Sequence, residues 1–212
     1  MIAGFEDDYE LDSPIGMGGT ASIWKVWDRT TRRNGVLKVV YQTYFNNTPG
    51  TEFIDVNRES RLWERAKYRY ILPFISRRQD AVKTFFITEC CGAGDLRKYM
   101  FDNTRMPTEQ IRHFAAQLLE AVEYLHDMGV VHCDIKDENI LLKGDRRRPE
   151  SLQIQLMDFG MAKEGNELKG CMGSPYWIAP EVARRKGYDS KIDIWAVGQV
   201  LLAMFVGRAT PL

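Results

Sequence analysis

Apolar residues recur at Ile111, Phe114, Ala115, Leu118, Leu119, Val122 and Leu125, in steps of three and four. That spacing predicts one face of a long amphipathic helix, and Gly129 stands where a helix-ending glycine belongs. The first ninety residues read differently. Runs rich in β-branched and aromatic residues at 9–15, 22–28 and 36–40 predict short strands, with turn signals between them that include Asn34-Gly35. The charged segment 51–67 predicts a helix, and 83–88 returns to strand. After Gly92-Ala93-Gly94 the character turns helical; short strands at 140–143 and 153–157 flank a polar, basic loop, and a last apolar helix begins near Ser190. The pattern therefore predicts an α+β chain, with a β-rich N-terminal lobe (1–88), a junction at 89–95 and a helical C-terminal lobe (96–212).

Composition agrees with a folded chain. At 212 residues, 44% hydrophobic and 27% charged, it can bury a core and is not disordered. Lys+Arg 29 against Asp+Glu 29 cancel, which argues against a nucleic-acid binder or a polybasic membrane anchor. Cys90, Cys91, Cys133 and Cys171 form no Cys-x-x-Cys pair, so a structural zinc site is not expected. The adjacent Cys90 and Cys91 suit buried, reduced thiols, hence an intracellular (cytoplasmic or nuclear) setting. The N-terminus turns acidic at Glu6 and has no apolar run, so it does not read as a secretory signal. Residues 194–206 are apolar but short for a membrane span and contain Gln199; they read as a buried helix.

Three features carry chemistry. Gly16-Met17-Gly18-Gly19-Thr20-Ala21-Ser22-Ile23 is a glycine-rich loop whose backbone N–H groups could approach phosphate oxygens. A dinucleotide fingerprint would open a helix, but SIWKVWD follows and reads as strand. Lys38 lies in an otherwise apolar strand and needs a partner; Glu59 and Glu64 both stand on the predicted helix. The third feature is His132-Cys133-Asp134-Ile135-Lys136-Asp137-Glu138-Asn139, followed by Asp158-Phe159-Gly160 and then Ala179-Pro180-Glu181.

In these elements, taken in order, the chain resembles the eukaryotic protein kinase family, Ser/Thr type, over nearly its whole length. The resemblance implies a bilobal kinase-like fold and transfer of a phosphoryl group from ATP, with Mg²⁺, to Ser/Thr hydroxyls of protein substrates. It favours Glu59 as the partner of Lys38, by its interval to Tyr68-Arg69-Tyr70-Ile71. Lys38 is implied at the α- and β-phosphates, Asn139 and Asp158 at the metal, Asp134 as acceptor of the hydroxyl proton and Lys136 at the γ-phosphate. Contacts to the nucleotide are implied for Gly16, Gly18, Ala21, Ile23, Val36, Thr88 (the gatekeeper), Glu89 and Cys91 (the hinge), Asp95 and Leu141. Ser174 takes the usual place of a threonine and could bridge Asp134 and Lys136. His132 reads as a packed histidine forming a spine with Phe74, Trp63 and Phe159, while His113 and His126 read as ordinary helix residues. Asp193 reads both as a capping box with Ser190 and as the aspartate that holds the catalytic loop.

The chain also departs from the family. Cys133 replaces the arginine that commonly binds a phosphate on the activation segment, and residues 161–172 contain no Ser, Thr or Tyr. Val36 stands where alanine is usual, and Ala21 replaces the third loop glycine. Family members carry further helices beyond the one at Ser190, so the fold is expected to lack its last helices. The isolated chain is then expected to be poorly soluble, partly unfolded or bound to a partner chain covering the C-terminal helix. A pseudokinase, acting as a nucleotide-binding scaffold or regulator, is the alternative reading.

Overall fold

Asp28 closes the hairpin from which the first sheet is built. Its Oδ1 accepts the amides of Thr30 and Thr31 at 2.8 and 2.9 Å, and the Thr31 amide above all holds the carboxyl below the usual aspartate range. Arg32 completes the turn at φ 53. Strands β2 (Ala21–Asp28) and β3 (Arg33–Tyr41) run from it. The turn predicted at Asn34-Gly35 is thus two residues late: Asn34 and Gly35 lie in β3, opposite Trp27 and Val26. Gly35 serves a close approach, since a Cβ there would lie 3.3 Å from the Thr88 carbonyl and from a Val26 methyl.

The computed structural model describes residues 5–17, 21–41, 55–103, 105–165, 167–169, 173–185 and 187–207. They form two compact units, 1–64 with 73–90, and 65–72 with 91–212. In the first, β1 (Tyr9–Met17), β2, β3, β4 (Phe74–Gln79) and β5 (Lys83–Glu89) make an antiparallel sheet in the order β1-β2-β3-β5-β4. Alternation puts Val26, Leu37 and Val39 on one buried face with Ile87, Tyr9 and Phe5 of the short helix α1 (Phe5–Asp8). Strand β4 was not evident in the sequence, because its FISRRQ stretch is polar and mostly half-buried. Helix α2 (Val56–Arg65) is shorter than predicted; Asp55 Oδ1 caps it through the Asn57 and Arg58 amides, and 51–54 lie outside the described residues. Its buried face carries Glu59, Leu62 and Trp63, and Trp63 packs on Phe74 at 5.8 Å.

In the second unit, α3 (Leu96–Asp102) is capped by Asp95, which accepts the Lys98 amide at 2.7 Å. Helix α4 (Thr108–Asp127) buries Ile111, Phe114, Leu118, Val122 and Leu125 as predicted. Leu119 instead faces solvent, while Gln117 is buried because its carbonyl accepts the Ile154 amide at 2.8 Å. The helix stops before Gly129, whose φ is 71. Strand β6 (Val130–Val131) pairs with β9 (Lys163–Glu164), and β7 (Ile140–Lys143) with β8 (Gln153–Leu156). At the β7 exit, Gly144 has φ 130, and a Cβ there would meet the Ser151 carbonyl oxygen at 2.7 Å. Residues 65–72 pack here: the Leu72 amide donates to the Leu156 carbonyl, the Leu156 amide donates to the Tyr70 carbonyl, and Tyr68 stacks on Tyr124 with centroids 4.6 Å apart.

After the short helix α5 (Pro180–Ala183), α6 (Lys191–Val206) buries Ile192, Ala196, Val197, Val200, Ala203 and Met204. Its other side exposes Ile194, Trp195, Leu202, Phe205 and Val206, with Phe205 62% exposed. The Ser190 capping box does not form: Ser190 is helical and makes no side-chain cap bond, because the Asp193 carboxylate is engaged elsewhere. Cys90 and Cys91 are half-buried rather than buried, and burial raises the Cys90 thiol pKa. Arg146, in the polar, basic loop between β7 and β8, lies over the Tyr99 ring and bonds Asp102 at 3.0 Å. Among the described residues no helix is long and apolar enough to cross a membrane.

Candidate active site

The first unit holds Lys38 at mid-strand in β3, opposite Ile23 on β2 and Phe86 on β5. Its Nζ donates to Glu59 Oε1 at 2.9 Å, and the Glu59 side chain is only 1% exposed. Of the two candidate glutamates, Glu59 therefore takes the lysine; Glu64 points to solvent. A buried carboxylate needs such a cation, and the pair fixes both α2 and the lysine. Gly16 and Ile23 face each other across the β1–β2 pair. The glycine loop thus joins strand to strand, although Gly18 lies outside the described residues. Val36 pairs with Thr88, a buried threonine, and Glu89 follows it on β5. Ala21 opens β2.

In the second unit, Cys91 precedes α3, and Asp95 combines its cap with a backbone bridge to Leu141 on β7. The loop after β6 carries the densest polar network. Asp134 is the centre: its Oδ1 accepts from Ser174 Oγ at 3.0 Å, and its Oδ2 from Lys136 Nζ at 2.8 Å and Asn139 Nδ2 at 2.9 Å. Lys136 also donates to Ser174 Oγ at 2.7 Å, closing a triangle of carboxylate, ammonium and hydroxyl. The three bonds fix the orientation of the Asp134 carboxylate. Because the Asn139 amide nitrogen is occupied by Asp134, its amide oxygen is the atom that can serve as a ligand.

Backbone geometry supports this loop from behind. Cys133 has φ 64, a left-handed conformation that costs a non-glycine residue roughly 1–2 kcal/mol. The Asp193 carboxylate of α6 offsets it: Oδ1 accepts the Cys133 amide at 2.9 Å and Oδ2 the His132 amide at 2.8 Å. His126 Nε2 donates to the same Oδ2 at 2.9 Å. It is not an ordinary helix residue, but one histidine at a helix end gives no sequence signal of this role. His132 is fully buried; its Nδ1 accepts the Asp134 amide and its Nε2 donates to the Met157 carbonyl. It packs on Phe159 at 5.2 Å. Asp158 has φ 68, a conformation aspartate tolerates, and accepts the Gly160 amide.

Two further residues escaped the sequence reading. Asp137 is fully buried in the short 3-10 turn Asp137–Asn139, and Arg97 of α3 reaches it. An acid flanked by other charged residues in sequence announces neither burial nor partner. Leu168 exchanges two backbone bonds with Tyr188 and joins a buried apolar cluster with Val131, Cys133, Val182 and Ile192. Cys133 contributes apolar surface to that cluster, where an arginine would bring a charge.

The chain matches the protein kinase domain family over residues 9–211. It is 32% identical over 208 residues to a serine/threonine-protein kinase of Drosophila melanogaster, covering 98% of this chain and 27% of that protein. It is similar at 31% identity to a putative ribosomal protein S6 kinase alpha-1 of Caenorhabditis elegans, over 96% of this chain and 25% of the relative. An atypical protein kinase C of Drosophila melanogaster is 31% identical over 96% of this chain and 33% of the relative. The chain thus spans between a quarter and a third of the length of these curated relatives.

Proposed function

The chain belongs to the protein kinase domain family, and on that premise we propose that it transfers the γ-phosphoryl group of ATP to serine or threonine hydroxyls of protein substrates. The observation that carries the reading is the closed triangle of Asp134, Lys136 and Ser174. In this reading the incoming hydroxyl donates to Asp134, which takes its proton as the new P–O bond forms and the bond to the β–γ bridging oxygen breaks. Lys136 neutralises charge on the transferred group. Ser174 keeps the carboxylate and ammonium in register. Lys38, oriented by Glu59, binds the α- and β-phosphates.

The donor set fits Mg²⁺. Among the described residues no cluster of three metal-binding side chains exists, yet this ion takes one or two protein oxygens together with substrate phosphates. The Asn139 amide oxygen and the Asp158 carboxylate are such donors. When bound, the ion screens phosphate charge. Protein substrates of Ser/Thr type are the proposed partners, and neither nucleic acid nor membrane is proposed.

The test is incubation of the chain with Mg-ATP labelled in the γ-phosphate and mixed Ser-, Thr- and Tyr-containing peptides, beside Asp134→Asn. Label on Ser or Thr, absent with the variant, supports the reading. Nucleotide binding without label in either protein establishes the alternative, a nucleotide-binding regulator.

A further inference from the structure

Asp137 and Glu138 lie between Lys136 and Asn139, so the turn they form sets the spacing of two residues that the transfer reading requires. Asp137 is 0% exposed. A carboxylate so buried is held only with a cation and hydrogen bonds around it. Arg97 supplies both. Its Nε lies 3.2 Å from each Asp137 oxygen and its Nη2 lies 3.1 Å from Oδ1, while Nη1 donates to Glu138 Oε1 at 2.5 Å. The planar fork thus grips two consecutive acids at once, which an ammonium cannot do.

The arginine stands on fixed ground. Helix α3 is capped by Asp95 and buries Leu96, Tyr99 and Met100. Just before it, the Gly94 carbonyl accepts the Leu142 amide at 2.8 Å. On the other side of the turn, the Asn139 amide bonds the Lys136 carbonyl at 3.0 Å, and the Asn139 carbonyl accepts the Met157 amide at 2.9 Å, one residue before Asp158. A displacement of Asp137 therefore moves Lys136 and Asn139 together.

We propose that Arg97 is a positioning residue for phosphoryl transfer, holding the Lys136–Asn139 turn through the buried carboxylate of Asp137. The inference rests on the transfer reading above for its kinetic consequence, but not for its structural one. Arg97 touches neither substrate nor reacting atoms; it acts through Asp137.

The experiment compares the full chain with Arg97→Gln, Asp137→Asn and the double variant, by hydrogen exchange of residues 134–142 and by kcat and KM for Mg-ATP. Arg97→Gln is expected to speed exchange in that segment about tenfold and to lower kcat about tenfold, with KM within about twofold. The double variant is expected to recover most of both losses, because a buried amide needs no cation. Wild-type exchange in Arg97→Gln, or a double variant no better than the single, overturns the proposal. Should Arg97→Gln alone not fold, the double variant is compared with Asp137→Asn: equal exchange supports action through Asp137, and a further tenfold rise overturns it. Absence of transfer by the wild-type chain refutes the transfer reading, and the exchange comparison still decides the role of Arg97.

Discussion

His126 on α4 and Asp193 on α6 meet at 2.9 Å, on the carboxylate oxygen that also accepts the His132 amide. Two helices far apart in sequence are thereby joined to the loop that carries Asp134. Asp193→Ala strands two buried amides at about 1–3 kcal/mol each. It is expected to lower stability by at least ~2 kcal/mol in urea unfolding and to cut phosphate transfer more than about a hundredfold. His126→Ala, which leaves both amide bonds in place but removes a bond to a buried carboxylate, should cost about 1.5–3 kcal/mol.

Asp134→Asn separates chemistry from binding. The amide retains an oxygen for Lys136 and Asn139 but cannot take the proton of a hydroxyl. Affinity for Mg-ATP, measured by calorimetry, is expected within about threefold of wild type, with transfer lowered on the order of a thousandfold.

Lys38→Met removes the cation that faces the buried Glu59 carboxylate. Breaking such a pair from one side costs about 3–5 kcal/mol. The chain should lose stability as well as nucleotide affinity. Lys38→Met with Glu59→Gln is expected to restore much of the melting temperature but none of the affinity.

Residues 161–172 offer no hydroxyl to a modifying enzyme. With Leu168 held by Tyr188 and an apolar cluster that includes Cys133, activity is expected to be unchanged by phosphatase treatment. Leu168→Asp should lower transfer at least about tenfold, because a carboxylate in that cluster has no partner. A large loss on phosphatase treatment, mapped to Ser174, would contradict this account.

The open side of α6 is a contiguous apolar surface of Ile194, Trp195, Leu202, Phe205 and Val206, and such surfaces promote association. Leu202→Gln with Phe205→Glu is expected to raise soluble yield while changing the melting temperature by less than ~3 °C, since neither side chain is in the core. Light scattering and thermal melts on the two proteins check both halves.

Where the hydrophobic period was clean, the sequence was readable: the α4 face and the β7–β8 pair lie within a few residues of expectation. Periodicity failed where polar atoms decide. Gln117 is buried because it serves the Ile154 amide, and β4 gives no period-two signal because its FISRRQ residues do not alternate in burial. The Asn34-Gly35 turn signal lost to Asp28, whose carboxylate captures two amides earlier in the chain. The site residues stood out through the resemblance, which ordered Lys38, Asp134, Asn139 and Asp158 by motif. Those that resemblance did not supply, His126, Arg97 and Asp137, act through contacts between segments 40 or more residues apart. No local pattern encodes such contacts.

Gly144 offers geneticists a handle on this protein that leaves its chemistry intact. Its φ of 130 and the Ser151 carbonyl 2.7 Å from any added Cβ leave no room for alanine without moving backbone. The strain falls on the β7–β8 hairpin, one end of which continues from Asn139 and the other toward Asp158. Gly144→Ala should therefore behave as a heat-sensitive allele. Cells carrying it would keep the function at low growth temperature and lose it within minutes of a shift upward, with every residue of the site still present.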